Sequence, residues 1–201
     1  MDGHYAKCLL RAVLAGMMIG IGGCVFIGSE VKWVGAILFA VGLFTIFTFG
    51  LDLYTGKVGY TFDNKPSYLI DLFVIIIGNF IGCLIVGTMM PSEVAGAMVE
   101  KKLALDASSV LFKGILCGML MFIAADCYKK SKSFIATFVC VPVFILAGFE
   151  HSIADMFYFC SAGVFTTEAL VFILIVILGN GIGGVLIPLC RRWMYEKPAA
   201  Q

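Results

Sequence analysis

The chain has 201 residues, of which 61% are hydrophobic and 13% are charged, with a formal net charge of +1 and a mean hydropathy of +1.04. Soluble domains carry about 25% charged residues, so this composition excludes an ordinary soluble protein and indicates an integral membrane protein. The small net charge, without a basic stripe, excludes nucleic-acid binding.

Six apolar segments reach the roughly 20 residues that a membrane-spanning helix needs. They are residues 8–28, 33–55, 68–90, 108–128, 134–161 and 166–190. We therefore predict an all-α integral membrane protein with six transmembrane helices in one domain, residues 1–201. The first segment lacks a small-residue cleavage site leading into a soluble remainder, which favours a first helix over a signal peptide.

The distribution of Lys and Arg predicts the orientation, because an even number of spans puts both termini on one side. Four basic residues fall on the opposite side, namely Lys32, Lys101, Lys102 and Lys113. Ten fall on the side of the termini: Lys7, Arg11, Lys57, Lys65, Lys129, Lys130, Lys132, Arg191, Arg192 and Lys197. Cytoplasmic loops carry the basic excess, so we predict a multi-pass protein of the cell (plasma) membrane with cytoplasmic termini.

The eight cysteines include no Cys-x-x-Cys pair, and no histidine stands at ligand spacing from them. They fall in or beside apolar segments, where a free cysteine behaves as a small hydrophobic residue. We predict no metal site and no cofactor.

A short motif recurs at half the chain length. Gly78-Asn79-Phe80-Ile81-Gly82 in the third segment is followed by Gly179-Asn180-Gly181-Ile182-Gly183 in the sixth. The two halves, about 8–90 and 108–190, contain three segments each, so they must be inverted relative to one another, as in many transport proteins. The small residues allow close helix packing, and packing is also the simplest role for Asn79 and Asn180.

The middle segment of each half is interrupted by glycine and acidic residues. The interruptions are Phe49-Gly50-Leu51-Asp52-Leu53-Tyr54-Thr55-Gly56 and Ala147-Gly148-Phe149-Glu150-His151-Ser152. Paired interruptions of this kind predict broken second and fifth helices around a binding or permeation site. A simpler alternative is that Thr55 and Gly56 end the second helix at the cytoplasmic surface.

The second interruption also concentrates ionisable groups, since Glu150, His151 and Asp155 fall within an otherwise apolar segment. Such groups at membrane depth predict a functional site, because charge is costly there. A buried neutral imidazole, bonded to backbone carbonyls, is the alternative for His151. Ser152 beside His151 does not indicate an enzyme, because chain neighbours seldom point at each other and no Gly-x-Ser-x-Gly motif is present.

These motifs resemble the formate/nitrite transporter family of pentameric channels for small monovalent anions. Gly148-Phe149-Glu150-His151-Ser152-Ile153-Ala154, followed by Met156, is similar to its fifth-span signature, and Asp52-Leu53-Tyr54-Thr55-Gly56 is similar to its re-entrant loop. Lys113-Gly114-Ile115-Leu116-Cys117 and both Gly-Asn-x-x-Gly motifs add to a resemblance that covers residues 9–192. It implies an aquaporin-like fold with an inverted 3+3 repeat, one pore per protomer and a homopentamer in the lipid bilayer.

The resemblance also implies residue roles. His151 would be the central histidine, Thr55 the loop threonine facing it, and Lys102 (or else Lys101) the lysine near the outer mouth. Glu150 would face away from the lumen and tie the broken segments together, and Asn180 is included among the predicted pore residues. The apolar constrictions on either side of the histidine would consist of Phe39, Leu43, Leu53, Tyr54 and Phe144.

Physical chemistry suggests how these residues would work. A bare carboxylate faces a penalty of up to tens of kcal/mol in a dry constriction. Protonating a carboxylic acid with a pKa of about 4 at neutral pH costs about 4 kcal/mol. We therefore predict a channel for formate or nitrite in which His151 transiently protonates the anion, Thr55 offers a hydroxyl group and an outer lysine attracts anions. Hydrosulfide, acetate or lactate as solutes, and a proton-coupled secondary carrier, remain alternatives.

Two residues depart from the family pattern. Asp155 stands where the family usually has Asn, and a continuous helix would put it near His151, where it would favour the charged imidazole. Gly118 replaces an Asn expected in the fourth segment, so a hydrogen bond near the histidine would be absent.

Overall fold

A computed structural model describes residues 3–195 as a bundle of helices. A short α-helix and a 3-10 helix follow the second long helix, and a break divides the fifth predicted segment into two helices. The elements are α1 (Gly3–Gly28), α2 (Lys32–Phe49), α3 (Tyr54–Lys57), a 3-10 helix (Val58–Asp63), α4 (Tyr68–Met89), α5 (Glu93–Leu103), α6 (Ala107–Ser131), α7 (Ile135–Leu146), α8 (Ser152–Ala162) and α9 (Thr167–Tyr195).

The prediction of an all-α membrane protein is confirmed. Within residues 3–195, α1, α2, α4, α6 and α9 are long and apolar enough to cross a membrane, and α7 is a shorter apolar helix. Large hydrophobic side chains such as Phe73 (64% exposed) and Leu170 (59% exposed) lie on the outside of the bundle, as expected of a protein embedded in a membrane. The fifth predicted segment, 134–161, is therefore the α7–α8 pair and not a continuous helix.

The two predicted breaks are confirmed, and a glycine starts each. Gly50 after α2 has φ of 62°, and Gly148 after α7 has φ of 68°. This left-handed conformation is unfavourable for residues with a Cβ atom. In both breaks the next residue donates its N–H to a carbonyl five residues back, from Leu51 to Ile46 O and from Phe149 to Phe144 O, each at 2.9 Å. Such a hydrogen bond closes a helix and turns the chain away from its axis.

The repeated Gly-Asn-x-x-Gly motifs place α4 against α1 and α9 against α6. A Cβ atom on Gly82 would lie 2.1 Å from Val13 O, and one on Gly183 would lie 1.9 Å from Ile115 O. Only glycine allows the backbones to approach this closely. The α1–α4 pair and the α6–α9 pair are therefore structurally equivalent, and one broken segment packs beside each pair.

Basic residues assigned to the side of the termini gather at one end of the bundle. Arg11 Nε and Lys57 Nζ lie 2.7 Å and 2.9 Å from the Asp52 carboxylate, and Arg191 lies 2.7 Å from Asp126. The Asp52 pairs connect α1 and α3 to the first break, and the Asp126 pair connects α6 to α9. Lys197, also assigned to this side, lies outside the described residues.

Candidate functional site

The two broken segments meet at Thr55 and His151, which are 96 positions apart in the sequence. Thr55 Oγ1 lies 2.9 Å from His151 Nε2, and the two residues are 0% and 2% exposed. Thr55 belongs to α3, immediately after the first break, so it does not end a continuous second helix. The structure therefore brings together the two polar side chains that the resemblance pairs.

The amide group of Asn180 fixes the chain on both sides of His151. Its Oδ1 accepts the N–H of Ser152 at 2.8 Å, and its Nδ2 donates to Glu150 O and to Gly114 O, both at 2.8 Å. Asn180 is 0% exposed, and both polar atoms of its side chain are used by backbone groups. It acts here as a support for the break, which is the packing role that the motif also suggests.

Asn79 makes the same three hydrogen bonds in the first half. Its Oδ1 accepts the N–H of Tyr54 at 3.0 Å, and its Nδ2 donates to Asp52 O at 2.9 Å and to Ala12 O at 2.8 Å. Leu53 is therefore the structural equivalent of His151, because each lies between the two backbone groups that an asparagine holds. The inverted repeat extends to individual hydrogen bonds.

The hydrogen bonds of His151 define its protonation in this arrangement. His151 is the N-cap of α8, and its Nδ1 accepts the backbone N–H of Ala154 at 3.1 Å. A backbone N–H always donates, so Nδ1 carries a lone pair, and the proton of the neutral ring is on Nε2. This Nε2–H group faces Thr55 Oγ1. The ring therefore presents one hydrogen-bond donor at the meeting point of the breaks.

Aromatic and aliphatic side chains surround this pair. The ring of Phe144 stacks on the imidazole with 5.3 Å between centroids, and the ring of Phe39 meets Phe144 edge to face at 6.0 Å. Leu43 and Leu53 are buried at 2% and 1% exposure. All four belong to the set predicted to form constrictions.

The fifth member of that set, Tyr54, is oriented by a polar contact. Its hydroxyl donates to Ile177 O of α9 at 3.0 Å, and a Cβ atom on Gly181 would lie 2.9 Å from that hydroxyl. The Tyr54 hydroxyl is thus directed at the backbone of α9. Tyr54 is buried at 6% exposure, like the other residues predicted to form the constrictions.

Two cavities approach this layer from opposite ends. The α5-side cavity, of about 270 Å³, has His151 and Phe144 among its lining residues, together with Glu150, Lys102 and Asp155. The Lys129-side cavity is larger, at about 360 Å³. Its lining includes Leu53, Lys57, Tyr60, Lys129 and Lys132. Because His151 and Leu53 are equivalent in the repeat, each break contributes its central residue to one cavity.

Lys102 is more deeply placed than a lysine at a pore mouth. It belongs to α5, which lies outside the candidate spans, and its side chain is 14% exposed. Its ammonium group binds Glu150 Oε2 and lies 2.9 Å from Asp155 Oδ1. Burial alone would lower the pKa of Lys102, but the carboxylates of Asp155 and Glu150 outweigh this, so its pKa is raised and it stays charged.

The structure places both acidic residues of the second break beside Lys102. Glu150 lines the α5-side cavity and binds Lys102. Asp155 lies in the first turn of α8, which begins directly after His151. Its carboxylate pairs with Lys102, and its N–H donates to His151 O at 2.8 Å.

The sequence analysis did not predict the cluster of Lys102, Glu150 and Asp155, although the repeat contains part of the pattern that indicates it. Asp52 and Glu150 occupy equivalent positions, each two residues before the N–H group that an asparagine binds, and each has a cationic partner.

The departure from the family pattern at Gly118 has a steric explanation. A Cβ atom there would lie 2.3 Å from Asn180 O, so an asparagine does not fit between α6 and α9.

Known proteins that resemble this chain in sequence or in fold are described as transporters or channels. The nitrite transporter NirC of Escherichia coli (strain K12) is 26% identical over 177 residues, and the match covers 75% of this chain and 66% of that protein. A solved FNT family ion channel superposes with a TM-score of 0.84 at 22% identity, covering 96% of this chain and 91% of that one. A pentameric formate channel with formate bound superposes with a TM-score of 0.78, also at 22% identity, over 98% of this chain and 100% of that one.

The sequence relative is a transporter, which supports a non-enzyme reading. The structural matches show that the chain has the fold of these channels. The family model described as formate/nitrite transporter matches residues 2–194, nearly the whole chain. The chain therefore belongs to the formate/nitrite transporter family.

Proposed function

We propose that this protein is a membrane channel for small monovalent anions of weak acids, such as formate or nitrite, whose pathway passes His151 and Thr55. One observation carries the proposal. An imidazole N–H and a threonine hydroxyl lie 2.9 Å apart in a buried layer between two cavities. Two hydrogen-bonding groups this close together bind small solutes that carry one or two oxygen atoms.

The closed layer favours passage without net charge. Phe144, Phe39 and Leu53 leave a bare anion without water, and an unpaired ion in such surroundings faces a large desolvation penalty. A proton that enters with the anion removes the net charge. The proton resides either on the solute, as the neutral acid, or on the ring, as an imidazolium paired with the anion.

The ring can hold that proton only with the anion beside it, because a buried imidazolium without a counterion also faces the desolvation penalty. Protonating Nδ1 displaces the N–H of Ala154 and removes the side-chain cap of α8. Loss of an N-cap costs about 1 kcal/mol. His151 then donates from Nε2 to the anion. If that proton leaves with the solute, the ring takes a proton from water at Nε2 and releases the one on Nδ1 to water, which restores the resting tautomer and the hydrogen bond from Ala154. In this scheme transient protonation of the solute at His151 does not require a permanently charged ring.

Lysines on both sides make each cavity attractive to anions. Lys57, Lys129 and Lys132 line the Lys129-side cavity. The α5-side cavity has Lys101, Lys102 and Lys113 in its lining together with Glu150 and Asp155, so its lysines still outnumber its carboxylates. An excess of positive charge in a cleft raises the local concentration of anions. We further propose a homopentamer in the cell membrane, with the α5-side cavity facing outwards and the termini in the cytoplasm.

The proposal is tested by solute flux into liposomes that contain the purified protein. Formate, nitrite, hydrosulfide, acetate and lactate are compared at two pH values for the wild type, His151→Asn and His151→Gln. Asn keeps a side-chain acceptor at the N-cap of α8, as Nδ1 does, but it does not ionise. Gln reaches the Nε2 position as a hydrogen-bond donor but loses the cap.

We expect fast flux of formate or nitrite in the wild type and at least a tenfold loss in both variants, because neither side chain can take up a proton. Slower flux of the bulkier lactate is expected from the narrow aromatic layer. Equal rates for every solute in all three proteins would contradict the proposal.

A further inference from the structure

The α5-side cavity contains two buried carboxylates and a single ammonium group bound to both. Asp155 is 1% exposed and Glu150 is 3% exposed. Lys102 pairs with each of them. If all three groups are ionised, the cluster has a net charge of −1 at the edge of the layer that anions must enter. One bound proton removes that charge.

The unused oxygen of Asp155 indicates where the proton is held. Oδ1 of Asp155 lies 2.9 Å from Lys102 Nζ, whereas Oδ2 is buried and has no hydrogen-bond partner among the described residues. A buried carboxylate oxygen without a donor is costly. A carboxyl group with its proton on Oδ2 avoids that cost. Because Asp155 is among the residues that line the α5-side cavity, its carboxyl group is close enough to exchange this proton with a molecule there.

Other ionisable groups face the cluster without neutralising it. Lys101 from α5 and Lys113 from α6 line the same cavity, but within residues 3–195 neither forms an ion pair with Asp155. Cys117 of α6 and Tyr158 of α8 also lie within electrostatic range of Asp155. His151 directs its Nε2–H towards Thr55.

We propose that Asp155 is a proton donor to anions in the α5-side cavity. In this step the Oδ2–H bond of Asp155 breaks and an O–H bond forms on an oxygen of the solute. The resulting carboxylate is held by Lys102, and water in the cavity supplies the proton that restores the acid. This step adds to proton exchange at His151: a solute protonated by Asp155 reaches His151 as a neutral acid, and a solute that arrives as an anion takes its proton at His151. This inference rests on the proposed anion channel, but the protonated state of Asp155 can be measured without transport.

Infrared spectroscopy of the purified wild-type protein tests the protonated state. We expect the carbonyl stretch of a protonated carboxylic acid at neutral pH, shifted by ¹³C-labelled aspartate and not by ¹³C-labelled glutamate. The band disappears in Asp155→Asn. It also disappears in Glu150→Gln, because a single remaining carboxylate ionises to pair with Lys102. Absence of the band in the wild type, or a shift with labelled glutamate, overturns the inference.

Flux measurements test donation to the solute. Asp155→Asn keeps an oxygen for Lys102 but cannot release a proton. The ratio of wild-type to variant formate flux cancels the protonation of formate itself. It is measured from about pH 5 to about pH 9, the range in which a strongly raised carboxyl pKa falls. We expect a ratio of about tenfold at the acidic end that falls to about one or below as Asp155 loses its proton and the cluster becomes negative.

The possible results separate this inference from the proposed function. A ratio that stays constant over the whole pH range overturns proton donation by Asp155, even if flux is fast. A wild-type protein that shows the aspartate band but passes none of the anions refutes the proposed channel, while the proton assignment to Asp155 stands.

Discussion

Replacing Asn180 by alanine tests how the second break is held. The substitution leaves the buried N–H of Ser152 and the carbonyl of Glu150 without partners, whereas Gly114 O, inside α6, keeps its helical hydrogen bond. Each orphaned buried group costs about 1 to 2 kcal/mol. We therefore expect Asn180→Ala to lower the free energy of unfolding by about 2 to 4 kcal/mol, measured by reversible unfolding in mixed detergent micelles.

Two further variants make that measurement specific. Asn79→Ala orphans the equivalent groups in the first half, so we expect a loss within about 1 kcal/mol of that for Asn180→Ala. Asn64→Ala removes an exposed asparagine and should change stability by less than about 0.5 kcal/mol. An Asn180→Ala protein as stable as the Asn64→Ala control would refute the assignment of Asn180 as the support of the break.

Two other substitutions probe the site and its walls. Thr55→Val removes the hydroxyl group that His151 faces, and we expect formate flux into liposomes to fall about tenfold, the equivalent of one lost hydrogen bond. Thr55→Ser keeps the hydroxyl group and should retain most of the flux. Equal flux in the Thr55→Val and Thr55→Ser variants would contradict this role of Thr55. Gly183→Ala places a methyl group 1.9 Å from Ile115 O, so size-exclusion chromatography should show loss of folded protein, whereas Gly96→Ala, with nothing within 4 Å, should elute like the wild type. A folded Gly183→Ala protein of wild-type stability would show that α6 and α9 do not depend on this close approach.

The sequence was informative wherever one residue type has a restricted physical use. Gly50 and Gly148 interrupt long apolar segments, and only glycine readily adopts the positive φ that both breaks require. The repeated motifs around Asn79 and Asn180 indicated an inverted repeat, because they recur at half the chain length. The structure adds that each asparagine makes three equivalent hydrogen bonds, a detail that spacing does not reveal.

Other features depend on contacts between distant parts of the chain. The position of Lys102 follows from the packing of α5 against α8, so the sequence did not predict that it binds both Glu150 and Asp155. The sequence also did not show that α8 starts directly after His151, which makes His151 the N-cap and places Asp155 in the first turn. The sequence around Gly118 did not indicate its structural role, which is to leave room for the backbone of Asn180.

The central claim is that an anion passes the buried layer at His151 without net charge. Simultaneous recording of formate uptake and internal pH in liposomes tests it most directly, with protein-free liposomes as the reference for leakage through lipid. We expect one proton to enter with each formate in the wild type, and both fluxes to fall together in His151→Asn. Formate uptake unaccompanied by protons, or undiminished in His151→Asn, would contradict the account.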